Sequence, residues 1–163
     1  MSLQLVVRSF AFALPLILTA SSVFAQMPNP YGAPISLENA KKAAAAAVAE
    51  ARKNNWTMAV AVTDPGSALV YFEKMDGTQT GSVNVAIGKA RAAALYKRPT
   101  QVWQDIVAGG GAGLRILGLE GAVPIEGGVP LVVDGKLVGA IGLSGGSAAQ
   151  DDQCARAGAD AVK

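Results

Sequence analysis

The stretch VPLVVDGKLVGAIGLS, residues 129–144, decides how this chain folds. Two apolar runs, Val129–Val133 and Lys136–Ser144, stand on either side of Asp134-Gly135. Asp-Gly is the pair that accepts the positive φ angles of a two-residue hairpin turn, so the stretch reads as two antiparallel strands. A sheet face carrying alanine and glycine lets an alanine-rich helix lie close against it.

Working outward, Ser144-Gly145-Gly146-Ser147 closes the second strand, and Ser147 is placed to cap a last helix through Asp151, Cys154 and Ala157. Upstream, Gly109–Gly128 is glycine-rich and reads as a loop. Before it, Thr100–Val107 suits a short helix, and Ser82–Tyr96 suits a longer one that is apolar nearly all round except at Asn84, Lys89 and Arg91. Such a helix is buried on more than one side, by the rest of the fold or by another subunit. Lys97 and Arg98 suit its C-terminal end and Pro99 prevents continuation.

A second hairpin precedes that helix. Side chains alternate between bulky (Trp56, Met58, Val60, Val62) and small (Thr57, Ala59, Ala61, Thr63), Asp64-Pro65-Gly66-Ser67 supplies a turn with glycine at the positive φ, and Ala68–Lys74 returns. Ser36 is the N-cap of a helix over Leu37–Lys53, whose apolar positions Leu37, Ala40, Ala44, Ala47, Val48 and Ala51 share one face. The order helix, hairpin, helix, glycine segment, hairpin, helix predicts an α+β domain with an antiparallel sheet, without the parallel sheet of nucleotide-binding folds.

The N-terminal residues form a separate unit. Arg8, the apolar run Phe10–Ala20 and the small-residue segment ending at Ala25 have the layout of a secretory signal peptide, with cleavage expected before Gln26 and a periplasmic or secreted destination. The proline-rich residues 26–35 then read as an extended leader and 36–163 as a single domain. The apolar run is too short for a bilayer span, so no membrane span is expected after signal cleavage.

Composition closes several routes. With 14 basic and 12 acidic residues, neither nucleic acid nor an acidic lipid surface is indicated as a partner. Cys154 is the single cysteine, which rules out an internal disulfide and reads as a small buried apolar residue. There is no histidine, hence no Ser-His-Asp or Cys-His catalytic unit, no ordinary zinc site and no histidine-ligated haem.

Taken in order, Asp64-x-Gly66, Lys74-Met75-Asp76-Gly77, Ala86-x-x-Lys89-Ala90, Gly127-Gly128-Val129-Pro130, the run Val138–Gly146, then Asp151 and Cys154-Ala155, resemble the GlcG/HbpS (haem-degrading-like, DUF336) family, which includes the PduO C-terminal domain. The resemblance spans about Ser36 to Val162. It implies a profilin-like antiparallel sheet of about five strands flanked by helices, assembly into a homo-oligomer, and a small-molecule ligand such as haem or iron in some exported members. Histidine ligation of haem is unavailable here, which leaves Tyr71, Tyr96, Met58, Met75, Lys89 or Cys154, or an open axial position.

The residues themselves nominate a site. Gly109, Gly110, Gly111 and Gly113 lack the Lys-Ser or Lys-Thr of a phosphate loop, yet their amides can converge on a carboxylate with Arg115 supplying charge; a mobile loop at a subunit contact is the alternative. Lys89 interrupts an apolar helix and needs water, a ligand or an acid such as Asp64, Asp76 or Asp151. The expected ligand site is therefore Lys89, Gly111, Gly113, Arg115, Gly127 and Gly128. Glu126 joins Lys89 and Arg115 as a candidate for acid–base work on a small hydroxy- or oxo-acid, and joins Asp151 and Asp152 as a candidate iron ligand. Read without a ligand, Glu126 is an exposed loop residue, and Asp151 and Asp152 favour the positive end of the last helix.

Overall fold

The computed structural model describes residues 29–163, so the signal-peptide reading and the Gln26 cleavage point lie outside the described residues. Within them the chain forms helix α1 (Leu37–Lys53), strands β1 (Ala59–Thr63) and β2 (Leu69–Lys74), helices α2 (Ser82–Tyr96) and α3 (Gln101–Ala108), a 3-10 helix (Gly111–Gly118), strands β3 (Gly128–Val133) and β4 (Lys136–Ser144), and helix α4 (Ala148–Asp160). The sheet has four strands in the order β2-β1-β4-β3, one fewer than the family resemblance implied, and every neighbouring pair is antiparallel.

The β3–β4 reversal falls at Asp134-Gly135, both with positive φ as a type I′ turn requires. The β1–β2 turn departs from expectation. There Asp64 accepts the backbone N–H of Ala68 on its side chain, and Ser67, not Gly66, takes the positive φ. β1 also starts later than the alternation suggested. The Trp56 N–H returns to the carbonyl of Ala51 at the end of α1 and so is spent on leaving the helix.

The sheet separates two unlike layers. Val60 and Val62 of β1, Leu131 of β3, and Ile141 and Leu143 of β4 face α1 and α4 in the main core. On the other face Ala59 and Ala61 meet Ala86 and Ala90 of α2, while Ala140 meets Ala93 and Ala94. Gly142 is where α2 comes nearest, since a Cβ there would run into the carbonyl oxygen of Ala86 and the backbone of Ala90. The outer side of α2 is covered by the segment after the 3-10 helix: Tyr96 donates its hydroxyl to the carbonyl of Glu120 and stacks edge-on against Trp103, and Val123 sits over Gly88. Most of the helix's all-round apolar character is thus answered within the chain.

β4 is longer than β1, and the leader takes up the unpaired part of its edge. The Gly32 and Ile35 N–H groups donate to the carbonyls of Leu137 and Val138, and the Leu137 N–H donates to Pro30. Tyr31 anchors the leader by donating its hydroxyl to the carbonyls of Ala94 and Leu95. On the outer edge, Gly128 of β3 has both backbone groups held by Thr100, and Pro130 has no N–H to offer, so that strand is a poor template for pairing. The 109–128 stretch is not all loop: residues 111–118 wind into the 3-10 helix, entered through Gly110 and Gly111 at positive φ.

Candidate functional site

Helix α4 begins as the sequence predicts, with Ser147 and Gln150 forming a reciprocal capping box. One turn in, Asp151 points into the protein. Its Oδ2 accepts from the Lys89 ammonium at 2.7 Å, and Lys89 also donates to the carbonyl of Leu143 at 3.0 Å. The other carboxylate oxygen accepts the Gly146 N–H at 3.1 Å. Lys89 is 1% exposed and Asp151 3%, so the pair is sealed from water. Burial pushes the Asp151 carboxyl above its ordinary range, against the pull of Lys89 and of the Gly145 and Gly146 amides.

Lys89 belongs to α2 on one side of the sheet and Asp151 to α4 on the other. Their meeting requires an opening at the sheet's end, and Gly127 and Gly128 provide it. A Cβ on Gly127 would stand 2.7 Å from Asp151 Cβ and 2.9 Å from Lys89 Nζ, and its φ of +111° already disfavours any other residue. A Cβ on Gly128 would meet the Lys89 carbonyl and the Thr100 methyl. These two glycines are filled from both sides by protein.

The six residues expected to hold a ligand therefore occupy two places. Lys89, Gly127 and Gly128 come together as an interior pin between layers, with Asp151 as the acid. Gly111, Gly113 and Arg115 lie on the 3-10 helix, which buries none of its residues; Gly113 closes on the backbone of Ile106 and Arg115 is exposed. Lys89 does not face a cleft with Arg115, which alters the expected acid–base set as well.

Glu126 is buried, at 9% exposure, rather than an exposed loop residue, because it immediately precedes Gly127 and its N–H is held by the Gln104 side chain. Asp152 pairs with Arg156 one turn along α4, and Arg156 reaches Gln101 on α3; the second Asp152 oxygen is buried without a partner. Among the described residues, no group of three or more Cys, Asp or Glu side chains is placed to hold a metal ion. Iron ligation through Glu126, Asp151 and Asp152 thus has no geometric support, since two of the three carboxylates are committed to cations.

Of the side chains chemically able to ligate a haem iron, Met58, Lys89 and Cys154 are fully buried. Burial, followed by the nearby carboxylates of Glu50 and Asp151, pushes the Cys154 thiol up to about 11, in keeping with an inert apolar role. Tyr71, Tyr96 and Met75 are partly exposed, but the hydrogen bond from Tyr71 to Glu73 raises its phenol above the usual range and opposes phenolate ligation.

A cavity of about 360 Å³ opens elsewhere, between β3 and α4. Val129, Pro130, Val132 and Ala159 give it an apolar floor, and Arg156, Asp160 and Lys163 stand at its rim. Sequence reasoning missed Arg156 and Lys163. Arg156 lies within α4 and Lys163 just beyond its last residue, Asp160, and they come beside Val129 and Val132 only through the packing of α4 on the sheet, a placement with no local signal.

The comparisons with known proteins agree with this architecture. Residues 35–160 match the model of the family described as haem degrading protein HbpS-like. The chain is 39% identical over 110 residues to Protein GlcG of Escherichia coli K12, covering 68% of this chain and 81% of that protein. Among solved structures, the haem complex of PduOC is similar with a TM-score of 0.72 and 29% identity, over 80% of this chain and 96% of that one. HbpS itself is similar with a TM-score of 0.74 and 32% identity, over 81% and 92%. With its closely packed glycines and its sheet between two unlike layers accounted for, the chain belongs to the family described as haem degrading protein HbpS-like.

Proposed function

We propose that this chain is an exported small-ligand-binding protein whose ligand is haem or a similarly flat, carboxylated molecule. The observation that carries the reading is the likeness to the PduOC haem complex over 96% of that chain. On this chain, the residues fitted to such a molecule are those of the β3–α4 cavity. Val129, Pro130, Val132 and Ala159 suit one edge of an apolar ring system, and the partly exposed Arg156 and Lys163 would exchange Asp152 and Asp160, their partners within the chain, for its carboxylates. Lys89 takes no part, because its ammonium is spent on Asp151 and Leu143.

The donor set of the chain sets the mode of binding. With no histidine anywhere in the sequence, haem would be held by its faces and carboxylates rather than through an imidazole. Bound haem would supply the redox chemistry of its iron; the protein's residues bind and orient it.

Titration of the purified protein with haemin, followed by the Soret band, tests the reading. A saturable shift is expected, and replacing Arg156 and Lys163 together by Glu is expected to weaken it about tenfold. Absence of any saturable shift in the unmodified protein removes the proposal. A shift unchanged by the double replacement removes the cavity but keeps haem.

A further inference from the structure

The β3–α4 cavity and the side chains able to ligate iron lie in different parts of the molecule, and that separation limits what the cavity can recognise. Its volume is about 360 Å³. Pockets that enclose a drug-sized molecule run from roughly 300 to 1,000 Å³, and a haem is larger than such molecules. The cavity therefore admits an edge of the ring and leaves the ring's centre, where a metal sits, outside its mouth.

The cavity wall has little to offer that centre. Val129, Pro130, Val132 and Ala159 carry no side-chain donor atom, and the guanidinium of Arg156 and the ammonium of Lys163 have no lone pair to give a metal. Asp160 is the one lining residue with an oxygen to offer, and it stands at the rim with its side chain 64% exposed, beside the edge of a seated ring. Among the described residues the other eligible side chains are elsewhere. Tyr71 lies in β2 and Met75 just after it, and β2 is the opposite edge of the sheet from β3, about 14 Å away at the usual strand spacing. Tyr31 and Tyr96 give their hydroxyls to backbone carbonyls, and Met58 and Cys154 are enclosed in the main core.

We infer that this cavity recognises a porphyrin by its edge and its carboxylates and is indifferent to the metal, so that its ligand class is the carboxylated tetrapyrrole ring with or without iron. The inference rests on the haem reading above and extends it. Two interactions hold the ring: apolar contact with Val129, Pro130, Val132 and Ala159, and charge between its carboxylates and Arg156 and Lys163. Both are the same for an iron-free ring, because neither touches the centre. Haem held in this way keeps its iron open to small ligands from solution.

Parallel titrations of the purified protein are the test, with haemin read by its Soret band and iron-free protoporphyrin IX read by its fluorescence. Dissociation constants within about fivefold of each other are expected, and replacing Arg156 and Lys163 together by Glu is expected to weaken both rings by the same factor, about tenfold. Imidazole added to the haem-loaded protein is expected to shift the Soret band, because no protein donor fills the axial position. A difference larger than fivefold overturns the inference while leaving haem binding in place, and so does a Soret band that imidazole leaves unmoved. A preference for haemin that Asp160→Asn abolishes would overturn it by placing Asp160 on the iron. Failure of both rings to bind removes the haem reading and this inference with it.

Discussion

The chain sets a cation beside glycines twice, and the two places have opposite fates. At Gly127-Gly128 the space a side chain would occupy is filled by Lys89, Asp151 and Thr100. At Gly110 and Gly111 there is nothing within 4 Å, and Arg115 is exposed. Composition makes these sites look alike, and each invites the reading of an anion cradle. What separates them is whether the missing Cβ makes room for another layer of the protein. The first cluster is structural because the sheet must be passed at its end for α2 to reach α4; the second is held only by α3.

The largest effect that sharpens this contrast is expected at Lys89. Lys89→Met leaves Asp151 buried and unpaired, and should cost about 3–5 kcal/mol at neutral pH in a denaturant titration. Replacing both members by apolar residues of similar volume should restore most of that loss. The pH dependence has a definite sign. Burial already raises the folded-state Asp151 carboxyl above its unfolded value, so its contribution to stability is present in acid and is lost as pH rises through the folded-state value. Removing Lys89 takes away an interaction that lowers that value, so the cost of Lys89→Met should shrink as pH falls through the carboxylate range. A cost independent of pH would mean that Asp151 finds another partner.

The glycines give the next largest difference. Gly142→Ala drives a methyl into the backbone of α2 and should cost about 1–3 kcal/mol or more. Gly118→Ala, in open space on the 3-10 helix, should stay within about 0.5 kcal/mol of the parent. Gly111→Ala should fall between, about 1 kcal/mol, from its left-handed backbone alone. Equal costs at Gly142 and Gly118 would erase the distinction between a filled and an open glycine.

The smallest effect concerns Cys154, which shares the interior with the pin. At neutral pH a thiol reagent should leave it unmodified in the folded protein and react fully once denaturant is added. Reaction in the folded state would show that the interior side of the contrast opens readily.

Legibility followed the range of the interaction that decides each feature. The caps at Ser36 and Ser147, the reversal at Asp134-Gly135 and the bulky and small faces of β1 are settled within a few residues, and each is found where the pattern placed it. Features set by neighbours distant in sequence were not legible. The strand count depended on a family average, and the 3-10 helix hides in a glycine-rich stretch whose composition suits a loop equally well. Lys89 was recognisable as needing a partner, with Asp151 among three eligible acids; choosing between them required the layers to be assembled.

The candidate site divides in the same way. Sequence could name Lys89, Glu126, Arg115 and the glycines as chemically able, because residue type fixes charge, donors and backbone freedom. Which of them water can reach is a property of packing alone. Burial withdrew Lys89, Gly127 and Gly128 from solvent, left Arg115 outside, and brought Arg156 and Lys163 beside Val129 and Val132. By itself the order of residues determined the turns, the caps and the two-sided sheet, since those depend on local backbone geometry and periodicity. The tertiary structure decided which charges are spent inside the protein and which stay at its surface, because burial depends on what lies against a residue from the rest of the chain.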